Sequence, residues 1–222
     1  MQKSLVIFGT GTLARLAHYY ATVEMGENVT AFVVDRDYRQ SSEFLGLPVL
    51  EWGQLPKIHS PLTTSIYVAI GYKNIKHREA AYMRVVSLNY ELKNIISRAS
   101  FLAQNICLGT NNFFMPGVVC EPGVKIGSNN VIWSNTTLCH DVEIGDHNFL
   151  ASNVTIGGET SIGDRNFFGF SSVVLQQKRI GDDCLIAANS LIRENAESNW
   201  QYCGIPARKF RKIESSVGVR VE

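Results

Sequence analysis

The sequence predicts two folds in series: an α/β domain with a parallel sheet over residues 1–95, then a three-sided parallel β-helix over residues 100–195, closed by a cap and tail over 196–222. Three observations carry this. Short apolar runs alternate with helical stretches through the first hundred residues. From Leu102 onward every sixth residue is apolar. An aliphatic-glycine pair also returns every 18 residues.

The first half reads as strand, helix, strand. Ser4–Gly9 (SLVIFG) is a short apolar run that ends at glycine, as a buried strand does. A helix is predicted over 12–25, with Leu13, Leu16, Ala17 and Tyr20 on one face. Val29–Val34 (VTAFVV) is the second strand, closed by Asp35. Ser65–Ile70 (SIYVAI) is another, ending at Gly71, with a charged helix over 74–88 behind it. Strands separated by helices imply parallel pairing with right-handed crossovers. Residues 1–95 are therefore read as Rossmann-like.

The second half keeps a strict period. The sixteen positions from Leu102 through Leu108, Phe114 and onward in sixes to Ile192 are all apolar. About half the residues of any chain are apolar, so this phasing arises by chance well below roughly once in ten thousand. Two residues before these positions stand mostly small or β-branched side chains, such as Val118, Val124, Thr136, Val142, Val154 and Thr160. Leu108-Gly-Thr, Ile126-Gly-Ser, Ile144-Gly-Asp, Ile162-Gly-Asp and Ile180-Gly-Asp are each 18 residues apart. Three six-residue faces per coil describe a triangular prism whose coils stack at about 4.8 Å.

Composition narrows the class. The net charge of +1 gives no footprint for a nucleic acid, and no apolar run is long enough to span a bilayer. The start reads as a strand rather than a signal peptide. Five cysteines with no CxxC pair suit a reduced, cytoplasmic protein.

The repeat, together with the α/β domain before it and the Gly204-Ile-Pro-Ala-Arg run after it, resembles the hexapeptide-repeat sugar acyltransferases. The two-domain layout looks like that of the nucleotide-amino-sugar N-acetyltransferases and the sialic acid O-acetyltransferase. The resemblance spans about Lys3 to Lys212. It implies a left-handed hand for the β-helix, a homotrimer with active sites between subunits, and acetyl-CoA as cofactor. It also implies a nucleotide-sugar bound by the N-terminal domain, for surface polysaccharide or glycan synthesis. In that family a histidine followed by an acidic residue stands just before an Ile-Gly-Asp column. His140-Asp141 before Ile144 matches it, which makes His140 the general base by resemblance and Asp141 its partner.

The chemistry agrees. Transfer from a thioester to an amine or hydroxyl needs a base, an oxyanion donor and a leaving thiolate. An imidazole titrating near neutrality suits the first. One coil on from His140 is Gly158, preceded by Gly157; its uncovered N–H is the predicted oxyanion donor. Against this stands the reading of His140 as a solvent-facing turn residue. The Gly-Gly pair and the absence of a better base favour catalysis. His147 is read as an outward surface or interface residue, and Cys139 is not taken as a nucleophile for want of its own base. A second column at 18-residue intervals, Ser152, Phe170, Ala188 and Pro206, is where related enzymes lay the pantetheine arm along backbone amides. Arg208 and Lys209 would meet CoA phosphates, and the same tail would also cap the prism.

In the first domain, Gly9 and Gly11 form a glycine loop that lets a phosphate approach a helix N-terminus, with Ala14 in place of a third glycine. Asp35 and Gly71 would line the same crevice. Where many relatives have Asn and Glu near the histidine, this chain has Trp133 and Cys139, and only Arg15 matches their first-loop run. Trp133 would stack on a sugar or fill a subunit interface; both stay open. The predicted activity is acetyl transfer to an amino group of a nucleotide-linked sugar. The alternatives are O-acetyl transfer on the same fold and a non-catalytic scaffold or sugar-nucleotide binder. A zinc-dependent β-helix enzyme needs a third repeat histidine that is missing, so no metal is expected.

Overall fold

A computed structural model describes residues 3–221; the predicted segments' ends at Met1, Gln2 and Glu222 lie outside them. The chain divides into two compact units. One holds the chain up to Gly71 with His77–Ile95, the other Tyr72–Lys76 with the chain from Ile96 on.

In the first unit β1 (Ser4–Phe8), β2 (Val29–Val34), β3 (Glu43–Phe44), β4 (Leu47–Glu51), β5 (Thr64–Val68) and β6 (Glu91–Leu92) form one sheet in the order β3-β4-β2-β1-β5-β6. All neighbours are parallel except the edge pair β3 and β4. Both faces of β1 are covered, because Leu5, Val6, Ile7 and Phe8 are all buried. Helix α1 (Thr12–Tyr19) buries Leu13, Ala14 and Ala17, then widens into a π-helical turn over Tyr20–Glu24. Against the predicted face, Ala14 replaces Tyr20 as a buried contact. A four-residue helix α2 (Leu55–Ile58) follows β4, and α3 (Ile75–Ser87) sends Ala81 and Val85 into the core with Val6, Phe8, Ile66 and Val68.

In the second unit the six-residue rhythm becomes three stacks of two-residue strands. Each strand pairs in parallel with the one 18 residues on: Phe113 with Val131, Val119 with Thr137, Lys125 with Glu143, and so upward. The predicted sixth positions from Phe114 to Ile192 all point inward and are buried, and Leu102 and Leu108 are partly so. The residues two before them, among them Val118, Thr136, Val154 and Ser172, are buried as well.

Each corner needs one residue in the left-handed backbone region, which costs a side-chain-bearing residue about 1–2 kcal/mol. The sequence meets this on one corner with Asn111, Asn129, His147, Arg165 and Asp183, and on the next with Gly117, Asn135, Asn153, Ser171 and Asn189. Ladders between coils offset the cost. Asp146 Oδ1 accepts the Ser128 amide, Asp164 that of Asp146, and Asp182 that of Asp164, all within 2.6–2.9 Å. This explains the Ile-Gly-Asp column: a Cβ on Gly145 would lie 2.2 Å from the Asp164 oxygen that holds the previous turn. Beside it, Asn130, Asn148 and Asn166 accept and pass on backbone N–H groups at 2.7–2.8 Å. His147 departs from its predicted outward position. It is 6% exposed, and its Nδ1 lies 2.8 Å from Asn129 Nδ2, because it occupies a rung of the corner ladder.

The last coil is two residues short: Leu185 pairs with Gln201 and Ile186 with Tyr202. The chain then folds back as an antiparallel hairpin, Trp200–Gly204 with Ala207–Lys212.

Replacing Asn148 with alanine strands the buried Asn166 N–H and Gly163 carbonyl, which its side chain satisfies at 2.8 and 3.0 Å. At about 1–3 kcal/mol for each of the two orphaned groups, denaturant titration should show Asn148→Ala less stable by about 2–6 kcal/mol.

Candidate active site

Strand Thr137–Leu138 ends at a corner occupied by Cys139, His140 and Asp141. Asp141 takes the left-handed conformation at φ 58° and donates its amide to the Pro122 carbonyl at 3.1 Å. That turn swings its carboxylate back over its own neighbour, so Oδ2 lies 3.0 Å from His140 Nδ1. The bond places the ring proton on Nδ1 and leaves Nε2 as the basic nitrogen. It is also the main reason the imidazole's pKa lies above the usual histidine value, with lesser help from the charges of Asp141, Glu121 and Glu159.

The basic edge of the ring lies on Gly158. A Cβ there would sit 2.5 Å from Nε2 and 2.7 Å from Cε1, so the ring can lie in this place only over glycine. Gly157 is equally constrained, since its Cβ would meet the Gln176 amide at 2.5 Å. Gly158 passes its carbonyl to the Gln177 amide, but among the described residues nothing accepts the Gly158 N–H. His140, Asp141 and Gly158 are thus brought together by stacking alone, 18 residues becoming one rung. Cys139 beside them is pushed above the ordinary thiol value by burial and by Glu121, which disfavours the thiolate a nucleophile needs.

Phe170 and Ala188 stand on a different corner, the one that follows Phe167–Phe168. Both are exposed, and their amides have no acceptor among the described residues. Between this corner and that of His140 lies one outward face made of Val119, Thr137, Thr155, Val173 and Leu191. One chain does not bring the two columns together. Pro206 departs from its predicted place in the second column. The shortened last coil shifts the register by two, which puts Gly204 after Ala188, and Pro206 sits in the hairpin turn. Arg208 is exposed; Lys209 pairs with Glu197 at 2.6 Å and lies 4.9 Å from the Trp200 ring centre.

In the first unit, Gly9, Gly11, Asp35 and Gly71 line one cavity of about 600 Å³, with Tyr38, His77 and Arg84. It opens at the carboxyl ends of β1, β2 and β5, where the strand order reverses and where ligands of open α/β sheets bind. Gly9 has φ 129° and lets the loop pass the Ala69 carbonyl, which a Cβ would approach to 2.8 Å. Asp35 is engaged: both of its oxygens are held by Arg84 at 2.6 and 3.0 Å, and that guanidinium lies 4.4 Å from the Trp52 ring centre. Trp133 does not line this cavity. It packs near Phe149 in the β-helix unit, with its indole nitrogen buried.

Sequence reasoning missed Glu121 and Glu159. Glu121 Oε2 accepts the His140 amide at 2.7 Å. Their signal was present in the period: Glu159 is one coil after Asp141 and Glu121 one coil before Cys139.

Residues 123–158 match the repeat family described as bacterial transferase hexapeptide (six repeats). The fold is a left-handed parallel β-helix behind an α/β domain. No curated protein sequence matches the chain. Among solved structures it is similar to PerB from Caulobacter crescentus in complex with CoA and GDP-perosamine, at 25% identity, TM-score 0.84, and 94% and 97% coverage of the two chains. A histidine-to-alanine variant of the GDP-perosamine N-acetyltransferase from the same organism, with the same ligands, aligns with TM-score 0.86 at 23% identity over 94% and 97% of the chains. The acetyltransferase domain of PglB from Neisseria gonorrhoeae FA1090 aligns with TM-score 0.84 at 20% identity, over 94% of this chain and 100% of that one.

A methyl group at position 158 must displace the His140 ring. Gly158→Ala should keep the cooperative unfolding of the β-helix while changing the His140 titration, which NMR of the ring follows directly.

Proposed function

We propose that this chain is an acetyl-CoA-dependent acetyltransferase that acylates an amino group on a nucleotide-linked sugar, for surface polysaccharide or glycan synthesis. One observation carries the reading: an imidazole oriented by Asp141 packs its basic nitrogen over Gly158, whose amide has no acceptor among the described residues. The similarity to proteins solved with CoA and GDP-perosamine supports the class of both substrates.

Acetyl-CoA supplies an activated thioester carbonyl. His140 Nε2 takes a proton from the attacking amine as the new C–N bond forms. The Gly158 N–H donates to the carbonyl oxygen, on which negative charge develops. The imidazolium, stabilised by Asp141, returns the proton to the departing sulfur as the C–S bond breaks. The amides of Phe170 and Ala188 suit the amide-rich pantetheine arm, and Arg208 suits its phosphates. The cavity between Gly9 and Gly71 suits a nucleotide, with its phosphates at the N-terminus of α1. The reading places the chain in the cytoplasm; among the described residues no helix is long and apolar enough to cross a membrane.

The two columns are separated by the face that runs from Val119 to Leu191, so the reading requires a second copy to offer its Phe170 corner to His140, and a three-fold assembly closes such contacts into a ring. Val173→Glu, which charges that face, should sediment as a monomer and lose acetyl transfer; a stable trimer with full activity would refute the assembly.

Thiol release from acetyl-CoA, measured with UDP-, dTDP-, GDP- and CMP-linked amino sugars, tests the activity. His140→Ala should fold and lose at least about a hundredfold in kcat. In the wild type, kcat/KM should rise with pH through the elevated His140 pKa, because only the neutral imidazole is a base. Replacing Asp141 with Asn should move that limb to lower pH.

A further inference from the structure

We propose that Glu121 is a positioning residue for His140, reaching from the preceding coil to hold the main chain from which the imidazole hangs. The inference rests on the acyltransferase reading for its kinetic consequence, and on the fold alone for its geometry.

At the Ile-Gly-Asp corner, every turn amide from Thr110 to Asp182 is held by a side chain of the following coil: Ser128, Asp146, Asp164, Asp182 and then Ser198. At the His140 corner this arrangement is closed off. The following coil offers Gly158, which has no side chain, and the space over it is filled by the imidazole itself. An acceptor for the His140 amide must come from the other direction. Glu121 supplies it, with Oε2 at 2.7 Å from the amide nitrogen.

Neighbouring coils hold the Cys139 and Asp141 amides and the His140 carbonyl, and the tether from Glu121 holds the one remaining amide, that of His140. His140 and Asp141 are exposed at a corner, with side chains 56% and 64% accessible. Asp141 fixes the rotation of the ring, whereas Glu121 fixes the backbone position from which it projects. The two carboxylates therefore act on different degrees of freedom. The charged or titratable groups around the imidazole are Asp141 on its own turn, Glu121 from the preceding coil, Glu159 from the following coil and the adjacent Cys139 thiol. Glu121 is thus also a negative charge that favours the imidazolium.

Two substitutions separate these roles. Glu121→Gln keeps an oxygen that can accept the amide but removes the charge; Glu121→Ala removes both. The expected outcome is that Glu121→Gln holds plateau kcat within about threefold and moves the acid limb of kcat/KM to lower pH. Glu121→Ala should lose kcat by about tenfold to a hundredfold, as for a displaced catalytic group, with little change in KM for acetyl-CoA. NMR titration of the His140 ring in the full-length protein should show a lower midpoint in Glu121→Gln than in the wild type. That titration reads the charge; the tether is read by hydrogen exchange at the His140 amide, which should be faster in Glu121→Ala than in the wild type. Neither readout needs a substrate, so the proposal is decided even if no nucleotide-sugar is turned over, a result that would count against the acyltransferase reading alone. Exchange of the His140 amide hydrogen as slow in Glu121→Ala as in the wild type overturns the proposal, because the tether is the bond that protects it. So does a plateau kcat within twofold of wild type in Glu121→Ala. If Glu121→Ala does not fold, the same exchange measurement on Glu121→Asp, whose carboxylate is one methylene short of the amide, decides.

Discussion

The constraint on which everything else depends is the hydrogen bonding of the corners. A prism wall two residues wide leaves each turn with a backbone amide that the strands do not use, and with a residue forced into the left-handed region. At the Ile-Gly-Asp corner side chains from the next coil satisfy the amide. To do so they must approach a backbone that carries no Cβ. Asp164 over Gly145 and Asp182 over Gly163 are two instances of one solution, with oxygens where a methyl group would stand. The aliphatic-Gly-Asp column is therefore a coupled pair read across coils: the glycine of one turn exists for the acid of the next.

The His140 corner uses the same geometry for a different purpose. There the group lying on a bare glycine is an imidazole rather than a carboxylate, and the glycine amide is left without an acceptor. What at the Ile-Gly-Asp corner is a closed structural rung is here an open one, as it is at the corner of Phe170 and Ala188. An imidazole and a glycine whose amide has no acceptor among the described residues are held together by the same packing that seals the Ile-Gly-Asp corner.

The repeat is legible because it recurs without interruption, and each inward residue reports the same environment. The neighbourhood of His140, Asp141 and Gly158 can be read for the same reason: a fixed period turns sequence distance into spatial distance. Expectation and structure part where that conversion fails. Counting 18 from Ala188 reaches Pro206, but the final coil closes after 16, since Leu185 pairs with Gln201. His147 has the sequence setting of an outward polar residue, yet the corner ladder accepts an imidazole in place of asparagine and buries it. Glu121 escapes notice because its carboxylate acts on a neighbour's main chain, and motif reading looks for side chains that face one another. In the α/β unit, β4 is hidden by Pro48 within a five-residue run, while the strands buried on both faces stand out as unbroken apolar stretches.

A stack of identical coils has no natural length, and its terminal rungs are open templates on which another chain could grow. Reversal at Gly204 places an antiparallel strand, Ala207–Lys212, along one face of the last coil, and that strand carries Arg208, Lys209, Arg211 and Lys212. Like charges crowded on an outermost strand repel an incoming copy and discourage continued pairing. The hairpin is in this sense a terminator: it converts a motif capable of indefinite fibre-like extension into a particle of finite height.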